Sequence, residues 1–389
     1  MGNVINILLS PVEAPSGLWV IILNWIEGSI VNYGWTIILF TLLLKFAMSP
    51  LDFFMKLSTK KNVLLQQKLA PQMAKLQKKY GKDQKAYQAQ ASALQKREGG
   101  SPIASCLVTL ITLVLSMVIF LTVFSSLREV SAYKTICQYD NIESVYTQTM
   151  TASLEASVPG FDAETTVLSD WLKDETNQTT YETEIANAKS ATKDAVIEAW
   201  KDSKDSWLWI SNIWVSDGAK SALPTRDDLL KLANSAKRGD YKEYVDNLDT
   251  YIYDDIASIV GTNDSSWNGY YILAILAAVI TFLSQYIAQL TTKLKKKELN
   301  RIAENPMASG GMMKFMKILL PAMMVIFVLS SSAAFGLYVV TNSIISILLT
   351  LLISIFVNLI TKKKEEEVTE FLEKEASRQN KKLNKQKGN

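Results

Sequence analysis

Not one histidine occurs among the 389 residues, and there are only two cysteines, Cys106 and Cys137. The first absence removes the commonest metal ligand and the commonest general base, which counts against a metal centre or an ordinary hydrolytic site. The cysteines fall in an apolar run and in an acidic block, so no disulfide framework is implied. Lysine and arginine are missing from the first 44 residues, so the start of the chain lacks the charged region of a secretory signal peptide. Aspartate and glutamate are missing from the apolar cores of the long hydrophobic runs, where a proton-coupled transporter usually needs a carboxylate. No phosphate-binding glycine loop, zinc spacing or catalytic triad is present either. These absences point to a protein that is not an enzyme and that uses no metal and no cofactor.

What the chain does have is 48% hydrophobic residues and charge sorted into blocks. Apolar runs extend from Tyr33 to Phe54, Ile103 to Phe124, Tyr270 to Leu290, Ile318 to Phe335 and Leu337 to Ile360. Each is close to the ~20 residues that cross a bilayer as a helix. Between them, residues 55–102 and 291–317 are rich in lysine, and residues 125–268 carry 25 acidic against 13 basic side chains. Basic loops remain in the cytoplasm, so one orientation satisfies every block. The pattern predicts an all-α membrane protein of the cell membrane with five transmembrane helices, at 33–54, 103–124, 269–290, 318–335 and 337–360. The N-terminus (1–32) lies outside and bears an interfacial helix within Gly17–Ile30. Residues 55–102 and 291–317 are cytoplasmic, residues 125–268 form an extracytoplasmic, mostly helical domain, and the tail (361–389) is cytoplasmic.

Lys45 is the most informative residue. An ionised side chain at mid-span costs about 2.5–3.5 kcal/mol on insertion scales, so such a group usually faces a bundle interior or a wet cavity. Snorkelling is the structural alternative, but Lys45 stands eleven residues before Lys56, roughly 16 Å along a helix. Ser105, Thr109 and Thr112 on the second span share one helical face, and Ser284 and Gln285 on the third and Asn342 on the fifth add further polar groups. Small hydroxyl residues also serve as packing contacts between membrane helices. Taken with Lys45 and Gln285, the set predicts a hydrated groove.

After Pro50, apolar residues recur three and four apart from Leu57 to Tyr80 and again from Tyr87 to Leu94, with Gly81 between. This predicts an antiparallel helical hairpin, broken or kinked at Pro71. Its lysines, among them Lys68, Lys75, Lys78, Lys79, Lys82 and Lys85, make a docking surface for anionic lipid or ribosomal RNA. The mixed-charge tail from Lys362 reads as a solvated helix or a disordered segment.

Several stretches in order resemble the YidC/Oxa/Alb family of membrane protein insertases, in its five-span form. They are TLLLKFAMSP around Lys45, the hairpin KLAPQMAKLQKKYGKD, EGGSPIASCL at the second span, and WLWI before the third. YYILAILAAVITFLSQY within that span and LLPAMMVIFVLSSSAAFGLYVVTNS at the last turn complete the series. The resemblance covers roughly residues 17–127 and 205–360. It implies a five-span core around a groove open to cytoplasm and lipid and closed outside, which helps nascent membrane proteins insert without nucleotide hydrolysis. Implied partners are nascent membrane proteins, the lipid bilayer, the ribosome and the Sec translocon, with a monomeric insertase unit. The chain departs from the family in three places: lysine replaces the usual intramembrane arginine, Val339 stands where many relatives have tryptophan, and the 125–268 domain is longer. A small-anion channel or transporter using Lys45 as its site, or a membrane anchor for the 125–268 domain, are the alternative readings.

Overall fold

The computed structural model describes residues 11–387 apart from 31, 81–82, 99–101, 221–222, 265–266 and 291–310. Among these the chain is mostly helical and has no β-strand, only an isolated bridge between Trp207 and Ile210. The elements are α1 (Leu18–Glu27), α2 (Tyr33–Tyr80), α3 (Gln84–Arg97), α4 (Pro102–Ser157), α5 (Leu168–Lys173), α6 (Glu175–Thr180) and α7 (Glu182–Ser203). They continue as α8 (Arg226–Ala236), α9 (Gly239–Asp246), α10 (Thr250–Asn263), α11 (Ile272–Leu290), α12 (Gly311–Leu329) and α13 (Ala333–Lys387). Among the described residues, three stretches are long and apolar enough to cross a membrane: Tyr33–Tyr80, Val114–Ser157 and Ala333–Arg378. Leu18–Glu27 and Ile272–Ile287 are shorter apolar helices. The loop expected at 291–317 lies largely outside the described residues.

Apolar and polar segments share single helices. α2 runs unbroken through Pro50 and Pro71, and α4 and α13 run far beyond the apolar runs in which they begin. Proline removes the N–H that would bond the carbonyl four residues earlier. At Pro50 that carbonyl is Phe46's, and the Ser49 hydroxyl donates to it at 2.9 Å, so no acceptor is stranded in an apolar setting. The last two apolar runs meet at residues 330–332, not at 336 as hydropathy placed the junction, because α12 ends at Leu329 and Ala333 already opens α13.

The chain divides into two compact units. The first comprises residues 1–40, 121–276 and 325–340. Its core gathers Tyr139, Tyr146, Met150 and Leu154 of α4 with Val196 and Trp200 of α7 and Ile252, Ile256 and Val260 of α10. Two helix starts here are capped by side chains of the preceding residue: Thr225 accepts from Asp228 N at α8, and Asp249 accepts from Tyr251 N and Ile252 N at α10. Polar ties link the helices: Trp200 Nε1 and Lys204 Nζ both donate to Asp264, at 3.0 and 2.7 Å. Tyr146 Oη donates to Asp255 at 2.6 Å.

The second unit comprises residues 41–120, 277–324 and 341–389. Here α2 ends at Tyr80, Asp83 caps α3 by accepting from Ala86 N at 3.0 Å, and Glu98 returns to pair with Lys68 at 2.8 Å. The tail differs from its expected solvated state. Glu365, Val368, Leu372 and Glu375, spaced three, four and three, form one buried stripe on α13. Against it lie residues of α2 in ascending order. Lys60 pairs with Glu365 at 3.3 Å, Leu64 packs with Val368 and Leu372, Lys68 sits over the Phe371 ring, and Lys75 pairs with Glu375 at 3.0 Å. Ascending against ascending makes a parallel helix pair. The tail reads as solvated because its few apolar residues are spaced for a narrow seam rather than a broad face.

Lys60 and Glu365 keep only 6% and 11% of their side-chain surface exposed. Removing one partner of a buried pair leaves an uncompensated charge, whereas replacing both with apolar groups is near neutral. Lys60→Met alone is therefore expected to cost roughly 3 kcal/mol, read as early tryptic release of the tail. The double change Lys60→Met with Glu365→Leu should restore resistance.

Candidate functional site

Every residue singled out for the groove falls in the second unit: Lys45, Ser105, Thr109, Thr112, Ser284, Gln285 and Asn342. Lys45 is half-buried on α2, with Leu42, Leu43 and Phe46 exposed around it. Ser284 and Gln285 on α11 and Asn342 on α13 are half-buried too. Ser105, Thr109 and Thr112 lie on α4, and their side chains are outside the described set. Gln285 has an unusual feature: its Nε2 is shielded from solvent and has no hydrogen-bond partner among the described residues. A buried amide donor without an acceptor costs free energy, which makes it a place where a ligand acceptor is favoured.

Sequence reasoning passed over Asp52, which stands near the end of the first apolar run. Asp52 is seven residues after Lys45 and four before Lys56, so the three charges share one face of α2. The charge of Asp52 acts on both Lys45 and Lys56. Lys56 Nζ also donates to the Thr350 carbonyl of α13 at 3.2 Å, a carbonyl that Ser354 Oγ bonds as well. The seven-residue spacing was the available signal.

Of the hairpin lysines, Lys68 and Lys75 are engaged with Glu98 and Glu375. Lys78, Lys79 and Lys85 are exposed, Lys79 lies over the Tyr80 ring, and Lys82 is outside the described residues. Of the serines at the last turn, Ser332 makes a packing contact within the first unit, 2.7 Å from Ser131 Oγ.

Three of the apolar helices begin or end on one loop of the first unit, residues 205–217. Asp217 Oδ2 accepts from Leu273 N and Ala274 N at 3.1 and 3.4 Å, capping α11, the helix that carries Ser284 and Gln285 three turns further on. The carbonyls of Val215 and Ile213 accept from Ala333 N and Ala334 N at 2.8 and 2.7 Å, at the start of α13, the helix that carries Asn342. Ser216 Oγ donates to the Leu329 carbonyl at the end of α12. The loop is held by Asn268, whose side-chain amide donates to the carbonyls of Asn212, Val215 and Ser216 while its Oδ1 accepts from Asn212 N. Gly269 permits this arrangement, since a Cβ there would lie 2.0 Å from Asp217 Oδ1. Such capping answers the need of helix ends for partners where water is scarce.

Residues 25–360 match the family described as 60Kd inner membrane protein. Over 107 residues the chain is 34% identical to the membrane protein insertase YidC of Chlorobaculum parvum, covering 28% of this chain and 18% of that one. It is 32% identical over 103 residues to the YidC of Aromatoleum aromaticum, covering 26% and 18%. For the YidC of Paracoccus denitrificans the figures are 31% over 107 residues, 28% and 16%. The aligned stretch thus spans under a fifth of those relatives. No solved structure matches.

Burial raises the Asp217 carboxyl from its ordinary 3.8 to about 6, opposed by the two backbone N–H groups it accepts from. A folded-state value above the unfolded one means that the folded form holds the proton more tightly. Stability is then greatest below pH ~4 and declines as pH rises through ~6, by about 3 kcal/mol at most. Thermal unfolding in detergent between pH 4 and 7 should show this decline as one component. Asp217→Asn should flatten that component, and Asp217→Ala should flatten it as well while lowering stability below pH ~4 by about 1 kcal/mol for the lost cap.

Proposed function

The chain belongs to the 60Kd inner membrane protein family, and from that premise we propose that it is a membrane protein insertase. It receives nascent membrane proteins in a polar intramembrane groove and releases their helices sideways into lipid. Lys45 supplies a positive field for acidic client segments, and Ser105, Thr109, Thr112, Ser284, Gln285 and Asn342 supply hydrogen-bonding surface. The observation that carries this reading is the Gln285 Nε2, buried without an acceptor among the described residues, in the same unit as the half-buried Lys45. A client's carbonyls and carboxylates are acceptors and anions, the two things this pair lacks. Driving force comes from moving an apolar client helix into hydrocarbon, about 25 cal/mol per Å² of apolar area.

In this reading the chain spans the membrane five times, with its N-terminus outside and its C-terminus cytoplasmic. In support, the lysine-rich blocks 55–102 and 291–317 and the acidic block 125–268 alternate along the chain as one orientation requires. The helical hairpin of α2 and α3 then faces the cytoplasm, where the exposed Lys78, Lys79 and Lys85 are available to ribosome, translocon or anionic lipid. The groove is open to the cytoplasm and to lipid and closed on the other side of the membrane. The protein acts as a monomeric unit without chemical fuel.

Asp52 makes the lysine more selective than a lone cation. It lies on Lys45's own helix face and opposes the approach of acidic segments, so only clients that out-compete it are held.

Insertion of a client with an acidic external segment, scored by protease protection, tests this. Lys45→Arg should retain activity, Lys45→Ala should lose part of it, and Lys45→Glu should lower insertion roughly tenfold or more, the equivalent of about 1.4 kcal/mol. Equal insertion by Lys45→Glu would refute the electrostatic role. Asp52→Asn is expected to raise insertion of the acidic client and leave a neutral one unchanged.

A further inference from the structure

Two turns of the first unit hold bulky side chains in a backbone region that favours glycine. Trp207 and Ile210 exchange both backbone hydrogen bonds at 2.9 Å, closing a two-residue turn on Leu208 and Trp209, and Leu208 has φ 51°. Ile272 N donates to the Gly269 carbonyl at 3.2 Å around Tyr270 and Tyr271, with φ 58° and 61°. Turns of these shapes select glycine or asparagine at such positions. A bulky residue there is held at a cost by its surroundings, and such strain collects at functional contacts. These side chains are not buried in compensation: Leu208 is 70% exposed and Tyr270 54%.

The surroundings that hold the turns are specific. Ser211 N donates to the Asn268 carbonyl at 3.1 Å and joins one turn to the other. Asn32 Nδ2 donates to the Ser206 carbonyl at 2.8 Å and ties the first turn to the start of α2. Gly34 lies so close to the Trp207 ring that a Cβ would sit 2.3 Å from it. Trp35, Trp207 and Trp209 follow one another at 5.8 and 5.9 Å between ring centres. The stretch Ser206–Ile210 contains no charge.

Both turns sit at the heads of exposed apolar stripes. From Tyr271 the stripe on α11 continues through Ile275, Val279, Phe282 and Tyr286, and from Trp35 the stripe on α2 continues through Leu42 and Phe46. In a membrane protein such stripes face hydrocarbon, and tryptophan and tyrosine concentrate where hydrocarbon gives way to headgroups.

We propose that the turns 207–210 and 269–272 form a lipid-interface anchor, with Leu208, Trp209 and Tyr270 set into the headgroup–acyl boundary on the side of residues 125–268. The occupant is the bilayer itself, because the turns continue surfaces that the bilayer already covers. The strained backbone turns an apolar side chain outward where glycine would present none. The inference needs only the membrane location and stands apart from the insertase reading.

Spin labels placed singly at 208 and 270, in a Cys106→Ser, Cys137→Ser background of the full chain reconstituted in phosphatidylcholine and phosphatidylglycerol vesicles, test it by power saturation. The expected result is a severalfold higher ratio of oxygen to nickel-chelate accessibility than for a label at Val167, an exposed apolar residue of the same unit. Ratios equal to that at 167 would overturn the anchor, as would a high ratio seen only when a client or translocon is added, which would assign the surface to a protein partner. Leu208→Asn supplies a second reading, since asparagine tolerates this backbone and removes the apolar side chain. Its unfolding midpoint should stay level or rise in detergent but fall relative to the parent in vesicles. The same gain in both would show that lipid contributes nothing at Leu208.

Discussion

Helix ends in an apolar setting must find partners for backbone groups that water cannot reach, and this requirement organises the first unit. The loop at residues 205–217 meets it for three helices at once. It offers a carboxylate to α11, two carbonyls to α13 and a hydroxyl to the end of α12. The Asn268 amide holds the loop in shape, and Gly269 makes room for the carboxylate. One strained turn lies within this loop and the other follows directly on Asn268, and the bond from Ser211 N to the Asn268 carbonyl that joins them belongs to the same network. The rule recurs on a smaller scale at Pro50, where Ser49 takes up the carbonyl that proline leaves behind.

The second unit manages charge rather than backbone. Lys45, Asp52 and Lys56 lie on one face of α2, an acid following the first cation at two helical turns. Further along the same helix, Lys60 and Lys75 pair with Glu365 and Glu375 of α13. These pairs give the two long helices a parallel register, and Leu64 with Val368 and Leu372 fills the space between. Residues 25–360, which match the 60Kd inner membrane protein family, include most of this unit.

Much of this was legible beforehand. The helical class, the apolar stretches and the prominence of Lys45 follow from composition and from the cost of a charge in hydrocarbon. The mostly helical character of the 125–268 segment was readable from its periodicity, and its helices α5 to α10 lie within that stretch. Asp52 was visible in principle but sat at the edge of a hydropathy window, where a carboxylate looks like an end rather than a partner. The docked tail was hidden for another reason. A seam of two apolar residues and two acids has low hydrophobicity, and its meaning depends on a helix some 300 residues away.

The sequence by itself determined which segments are apolar and which charges stand among them, because those properties reside in single side chains and their local spacing. Only the tertiary structure decided that Asp217 would cap a helix through a bond to Leu273, 56 residues later, that Gln285 Nε2 would have no partner among the described residues, and that Leu208 and Tyr270 would be held outward under strain. Those outcomes depend on which distant backbone groups come within hydrogen-bond reach, and no local pattern encodes that.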